Sequence, residues 1–325
     1  MLIAARPEQS QIKAVDASLR LDYPAEKLEI IVARGKQPSA QRNAGLLAAQ
    51  RELIYFLDDD SVPELQNLRR AVQHFTRPEV KMVGGPNLCP PDAPTLEKVF
   101  ALVLTSWLAF GPSRARYLSV GRVRETSEKE LILCNLLARR EAMIELGGFN
   151  EALYPNEENA LMDELQKRGG KLIYDPELRV ERRPRSNLKA FAKMLMTYGR
   201  GRAEQFRLHP TFGSTLNFVP PLFLVYLGAV ALTLLVAPGF AKFVSIPLAV
   251  YLLAVVAQVV LLATSAPVFR SIAALPLIVL THTLYGWGFW RGLFTSLGSS
   301  IEGKPTPVTL EIVKPPEISS VDKPT

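Results

Sequence analysis

Between Phe218 and Trp290 the chain carries no acidic residue and only two basic ones, Lys242 and Arg270. Those two fall where the apolar runs pause and divide the stretch into 218–237, 243–264 and 271–290. Each run approaches the ~20 residues a helix needs to cross ~30 Å of hydrocarbon. One such run would ordinarily be a buried core helix; three in series predict about three transmembrane helices. Pro220, Pro221, Pro247 and Pro276 lie in these runs, where a soluble helix interior tolerates proline poorly and a membrane span accepts it. Trp287 and Trp290 beside Arg291 suit an interfacial end. A transporter built on this region would lack a polar lining, because His282 is the one other ionisable side chain besides tyrosines in it.

The rest of the chain differs in kind. Residues 179–207 hold nine basic side chains against Glu181 and Glu204, equal to the +7 of the whole chain, so everything else is balanced. Basic charge beside a span is the positive-inside signal and can bind anionic headgroups. Leu188, Phe191, Leu195 and Tyr198 recur at helical spacing among Lys189, Lys193 and Arg200, which predicts a helix lying in the membrane interface. Nucleic acid is a poor alternative partner for a basic patch that adjoins a membrane anchor. Met1–Ala5 is too short an apolar run for a signal peptide, so residues 1–217 are expected to stay cytoplasmic, with the chain multi-pass in the inner membrane. The expected division is 1–178 catalytic, 179–217 basic and interfacial, 218–294 transmembrane, and 295–325 a Pro-rich tail with one short extended piece at Val308–Val313. Three spans would carry that tail across the membrane. A hydrophobic content of 48% and mean hydropathy of +0.12 exclude a disordered chain. Two cysteines and three scattered histidines exclude a disulfide framework and a histidine-built zinc site.

The first 178 residues alternate strand and helix. Leu2–Ala5, Lys27–Ala33, Leu53–Leu57 and Val80–Gly84 read as strands, with helices over Gln9–Leu21, Ser39–Gln50 and Leu65–Thr76. This βαβαβ order predicts an α/β fold with a mainly parallel sheet covered on both faces, and a ligand site beyond the carboxyl ends of the strands. Neither GxGxxG nor GxxxxGK[ST] occurs, so dinucleotide and P-loop readings lack their usual evidence.

Leu53–Leu57 runs straight into Asp58-Asp59-Asp60. Three aspartates at the end of a buried strand repel one another, and a divalent cation with substrate phosphates would relieve that repulsion. The competing reading makes them decoration on a helix opened by the capping-box pattern Ser61-Val62-Pro63-Glu64. Capping needs one short polar residue rather than three acids, which favours a metal or nucleotide site. A second acidic group, Asn156-Glu157-Glu158-Asn159, precedes the helical run Ala160–Lys167, where acids also serve the helix dipole.

The phrases Arg42-Asn43-Ala44-Gly45, Phe56-Leu57-Asp58-Asp59-Asp60, Gly147-Gly148-Phe149 with Glu157-Glu158, and the basic phrases Arg183-Pro184-Arg185 and Tyr198-Gly199-Arg200-Gly201-Arg202 follow in that order. Together they resemble the inverting family 2 glycosyltransferases of GT-A fold, above all membrane-attached bacterial enzymes of the succinoglycan-assembly type. The resemblance covers roughly residues 1–210. It implies transfer of a sugar from a nucleotide-diphosphate donor, by default UDP-linked, to a lipid-linked or polysaccharide acceptor. Asp60 with Asp58 would hold Mg²⁺ or Mn²⁺ (the D-x-D motif), and Glu158 would be the general base. Asp58, Asp59, Arg34 and Asn43 would contact the donor, and Arg200 or Arg202 would clamp its diphosphate or touch lipid headgroups. Two positions depart from the pattern: the second strand ends Val32-Ala33-Arg34-Gly35 rather than in a base-binding aspartate, and Glu158 stands where aspartate is usual. A polyprenyl-phosphate sugar synthase and a catalytically silent membrane scaffold are the alternative functions. Asn135, Cys89 and Cys134 read as ordinary buried residues, with Asn135 also a candidate for the acceptor side.

Overall fold

The computed structural model describes residues 1–151, 153, 156–208, 210, 212–295 and 307–313. Its strands are β1 Leu2–Ala5, β2 Ile30–Arg34, β3 Leu53–Asp58, β4 Val62–Pro63, β5 Val80–Gly84, β6 Asn87–Leu88, β7 Arg124–Thr126, β8 Asn135–Arg139, β9 Lys171–Tyr174, β10 Val180–Glu181 and β11 Thr309–Val313. The α-helices before the basic segment are α1 Lys13–Ser18, α2 Pro38–Ala48, α3 Asn67–His74, α4 Thr95–Thr105, α5 Trp107–Phe110, α6 Arg140–Glu145 and α7 Glu157–Lys167. After it come α8 Leu188–Leu208, α9 Val219–Val236, α10 Pro238–Val244, α11 Ile246–Ala263 and α12 Val268–Phe294.

The alternation of side chains along β3 explains why the sheet is covered twice. Ile54 and Phe56 point into one core with Leu2, Ile31 and Leu136. Tyr55 and Leu57 point into the other with Ile3, Ile30 and Leu137. A strand apolar on both faces must have a layer on each. The eight strands lie in the order β11-β2-β1-β3-β8-β5-β9-β7. β2-β1-β3 and β5-β9 are parallel, while β8 runs antiparallel between β3 and β5, and β11 and β7 are antiparallel edges. The sheet is therefore mixed, with its parallel part where the βαβαβ reading placed it. Asn135 is a structural residue of this sheet: its amide donates to the carbonyls of Leu178 (2.6 Å) and Pro86 (3.2 Å) and accepts from the Tyr55 hydroxyl (2.7 Å).

Local readings shift in three places. Helix α1 starts at Lys13 rather than Gln9. Helix α2 starts at Pro38, which is preorganised for the first turn, so Ser39 lies inside it without capping. Ser61–Glu64 opens no helix; Val62–Pro63 pairs with Val180–Glu181, and β4-β10-β6 form a small second sheet. The aspartates before it therefore do not decorate a helix N-terminus.

In the C-terminal part, three helices are long and apolar enough to cross a membrane: Thr215–Val236, Ile246–Ala263 and Val268–Phe294. Pro220, Pro221 and Pro247 sit in the first turns of α9 and α11, where no N–H is needed, and Pro276 alone lies inside a helix. The extended piece of the tail is β11, hydrogen-bonded to β2. Pro305, Pro315, Pro316 and Pro324 lie outside the described residues.

Helix α12 joins this part to the α/β domain by lying along α8 at backbone contact. A methyl group at Gly199 would overlap the Tyr285 carbonyl, one at Gly288 the Met196 carbonyl, and one at Gly292 the Arg200 carbonyl. Small residues permit this approach. At the start of α8, Phe191 stacks on Phe100 of α4 with ring centroids 4.3 Å apart. Gly288→Ala should thus destabilise by about 1–3 kcal/mol through overpacking. Gly228→Ala in α9, which meets nothing within 4 Å, should be neutral or slightly stabilising. Thermal unfolding of both variants in detergent checks the contrast.

Candidate active site

The parallel strands β1, β2 and β3 all end on one side, and a cavity of about 980 Å³ opens there. Arg6, Gly35, Lys36, Arg42, Asp58, Asp59, Glu157, Glu158, Arg182 and Arg185 are among its lining residues. Four parts of the chain supply the charged residues nearest the strand ends. β3 delivers Asp58, α2 delivers Arg42, α7 begins with Glu157 and Glu158, and the segment after β10 brings Arg182 and Arg185. Asn156 adopts a left-handed conformation (φ 94°) at the start of α7, and its amide oxygen accepts from Asn159 at 2.9 Å.

Charges alternate across this cavity. Arg42 lies 3.2 Å from Asp58 Oδ1 and 3.0 Å from Glu157 Oε1. Arg182 lies 3.0 Å from Asp58 Oδ2 and 2.5 Å from Asp60 Oδ1. Burial raises the Asp58 carboxyl, but Arg182 and Arg42 outweigh burial and hold it below the usual carboxylate range. Glu157 is pushed up to about 7, by burial first and then by Glu158, with Arg42 opposing. Glu158 is half-buried and has no hydrogen-bond or ion-pair partner among the described residues, which leaves it the more available base of the two.

Asp58, Asp59 and Glu158 line this cavity together, and Asp60 is tied to Asp58 through Arg182. The other proposed donor contacts lie elsewhere. Arg34 does not line the cavity; it pairs with Glu311 at 3.0 Å and donates to the Gln9 carbonyl at 2.7 Å. Asn43 faces the glycine-rich segment: its amide donates to Phe149 O at 2.9 Å and accepts from Phe149 N at 2.8 Å. Gly148, at φ +76°, has no room for a Cβ because Asn43 Oδ1 would lie 2.5 Å from it. Arg200 and Arg202 pair with Glu204 (3.4 Å) and Glu128 (3.7 Å), and neither lines the cavity. Arg42, Arg182 and Arg185 take the positions beside the acids instead. Arg182 is one of nine basic residues in its segment, and no local feature of the sequence singles it out.

A smaller cavity of about 360 Å³ lies between α4 and the basic segment. It is lined by Asp60, Arg183, Ala101, Leu104, Ala190 and Met194 among others, and shares Ile132, Arg182, Arg185 and Tyr198 with the larger one. Glu97 of α4 grips Arg183 with both oxygens (2.7 and 3.0 Å), fixing the basic segment over this cavity. Among the described residues no group of three or more His, Cys, Asp or Glu converges as a metal cage. Mg²⁺ and Mn²⁺ sites that also use substrate phosphates need only one or two carboxylates. Asp58 has both oxygens engaged, whereas Asp60 gives one to Arg182 and has the other unbonded among the described residues. The set fits an ion shared between Asp60 and a bound diphosphate.

The family model "Glycosyltransferase like family 2" matches residues 2–197. The chain belongs to that family and has its GT-A fold. Pre-mycofactocin glycosyltransferases of Mycobacterium tuberculosis, strains CDC 1551/Oshkosh and ATCC 25618/H37Rv, are 28% identical over 177 residues, covering 54% of this chain and 36% of theirs. The chain thus matches about a third of the length of those relatives. Among solved structures, the mannosyltransferase PcManGT from Pyrobaculum calidifontis, in complex with GDP-Man and Mn²⁺, aligns over 90% of this chain and 86% of that one, with a TM-score of 0.52 and 17% identity. S. aureus TarS 1–349 with UDP-GlcNAc is a looser likeness, at 10% identity and a TM-score of 0.43 over 94% of this chain and 97% of that one.

The raised Glu157 sets a pH dependence. Its ordinary value is 4.5 and its folded value about 7, so between these the folded state holds the extra proton. Its contribution to stability is full below pH 4.5 and is lost as pH rises through 7. Glu157→Gln should remove this dependence, so the melting temperature of the variant relative to wild type should climb across that window. Thermal unfolding from pH 4.5 to 8 checks it.

Proposed function

We propose that this chain transfers a single sugar from a nucleotide-diphosphate donor to a lipid-linked or polysaccharide acceptor at the cytoplasmic face of the inner membrane. The observation that carries this reading is the pair of cavities meeting at Ile132, Arg182, Arg185 and Tyr198, the smaller bounded by α8, whose basic face suits anionic headgroups. The donor occupies the larger cavity, with a uridine nucleotide as the proposed form. Its diphosphate lies against Arg182 and Arg185, which take up negative charge as the glycosidic bond breaks. Mg²⁺ or Mn²⁺, held by Asp60 and the phosphates, would supply further stabilisation of the leaving group. The acceptor approaches through the smaller cavity, whose arginines and apolar wall suit an amphiphilic anionic molecule. Glu158 takes the proton from the acceptor hydroxyl while that oxygen attacks the anomeric carbon. The bond to the diphosphate breaks on the opposite face and its electron pair leaves on the phosphate oxygen, so configuration inverts. Arg42 keeps Asp58 and Glu157 apart and compensated throughout.

The test is nucleotide-diphosphate release from a panel of sugar nucleotides by protein in native-like lipid. Release should require Asp60, with Asp60→Ala weakening donor binding, and Glu158→Gln should lower kcat by roughly 10²–10⁴. A loss of less than about tenfold in Glu158→Gln would favour a lipid-phosphate acceptor, which needs no strong base. Absence of both nucleotide release and donor binding by calorimetry would overturn the reading in favour of a silent scaffold. Long polymer as product would overturn single-sugar transfer.

A further inference from the structure

The two ends of the apolar region can be placed relative to one sheet. Its N-terminal end follows the catalytic domain through α8. Beyond its C-terminal end, β11 adds to the edge of β2, with Thr309 opposite Arg34 and Val313 opposite Ile30. Glu311 reinforces the pairing through its ion pair with Arg34. The strand β2 is part of the catalytic sheet, so the chain stands on the same side before α9 and at β11. A path that leaves and returns to one side of a bilayer crosses it an even number of times, whereas three helices are apolar enough to cross.

The packing of α12 identifies the helix that does not cross. It runs beside α8 from the cluster of Phe191 and Leu195 with Ala274 and Ile278 to Arg207, which donates to Gly292 O at 3.1 Å. Helix α8 carries Lys189, Lys193, Arg200, Arg202, Glu204 and Arg207. A helix so charged does not enter hydrocarbon, and a neighbour packed along it at backbone contact is held at the same depth. The outer side of α12 exposes Phe269, Ile272, Trp287 and Phe294, as an interfacial helix does. Helix α9 behaves differently. Its far end, Leu232 to Val236, is uncovered apart from the partly covered Thr233. Helix α10 then folds back, so that the Tyr226 hydroxyl donates to Val244 O (2.8 Å) and accepts from Leu248 N (2.9 Å). Helix α11 returns to the catalytic domain, where Gln258 accepts from Leu108 N at 3.0 Å.

We propose that the membrane insert is a helical hairpin, α9 outward and α11 back, with α12 an interfacial helix on the side of the catalytic domain. The tail strand and the active-site cavity then share one compartment. The 18 residues of α9 span about 27 Å, close to the ~30 Å of hydrocarbon. This replaces the three-crossing expectation, and it rests on membrane insertion rather than on which sugar is moved.

The experiment labels full-length protein with a membrane-impermeant maleimide in sealed vesicles of known orientation, in a Cys89→Ser, Cys134→Ala background. Ile312→Cys on β11 and Leu65→Cys on the catalytic domain, both at exposed positions, should react equally in the same vesicle orientation. Reaction of Ile312→Cys only in the opposite orientation would overturn the hairpin. An epitope appended to the otherwise unaltered chain after Thr325 should be digested by protease from the same side as the catalytic domain, and its protection would likewise overturn the proposal. Release of the protein by alkaline carbonate would overturn insertion itself and leave the transferase reading intact. Failure of nucleotide release alongside the expected labelling would leave the hairpin standing.

Discussion

Compensation of charge at the carboxyl ends of the strands is the constraint on which the rest of this molecule turns. Asp58 and Glu157 are drawn from residues far apart in the chain and share Arg42, while Asp58 and Asp60 share Arg182. Removing one partner from such a cluster leaves a buried charge uncompensated, at a cost of about 3–5 kcal/mol. The cluster therefore holds α2, β3, α7 and the segment after β10 in fixed relation. The same arrangement suits catalysis, because guanidinium groups already paired with acids can turn towards a bound diphosphate without new ordering of the chain.

The second constraint is the seam between α8 and α12. It depends on bare backbone at Gly199, Gly288 and Gly292, and through Phe191 and Phe100 it reaches α4, which borders the smaller cavity. The apolar helices are thereby joined to the wall of the site. An acceptor held at the bilayer surface would meet the arginines of this wall before it meets the donor. The edge strand β11 serves stability as well, since it covers backbone groups of β2 that would otherwise form an open sheet edge.

Much of the architecture was legible in the residues because its causes are local and periodic. The apolar run of β3, the three uncharged stretches after Phe218 and the acids that open α7 each declare themselves within about twenty residues. The place of Asp58 and Asp59 was legible for a related reason: strand ends in a parallel sheet face one side, and Glu158 reaches the same cavity from the first turn of α7. Arg34, Asn43, Arg200 and Arg202 were placed by their neighbours in the chain, and the structure turns each towards another partner. Asn43 follows Arg42 on α2, and one step of a helix rotates a side chain by about 100°, enough to send one into the cavity and the other to Phe149.

The sequence by itself determined the class of fold, the family and the presence of three helices long and apolar enough to cross a membrane, since composition and hydrophobic period depend on near neighbours alone. Tertiary structure decided which of nine basic residues meet the aspartates, because Arg182 is selected by the pairing of β10 with β4 and β6. It also decided where the tail lies. Nothing in Thr309–Val313 names its partner; the match to β2, 275 or more residues away, exists only once the sheet has formed and left that edge open.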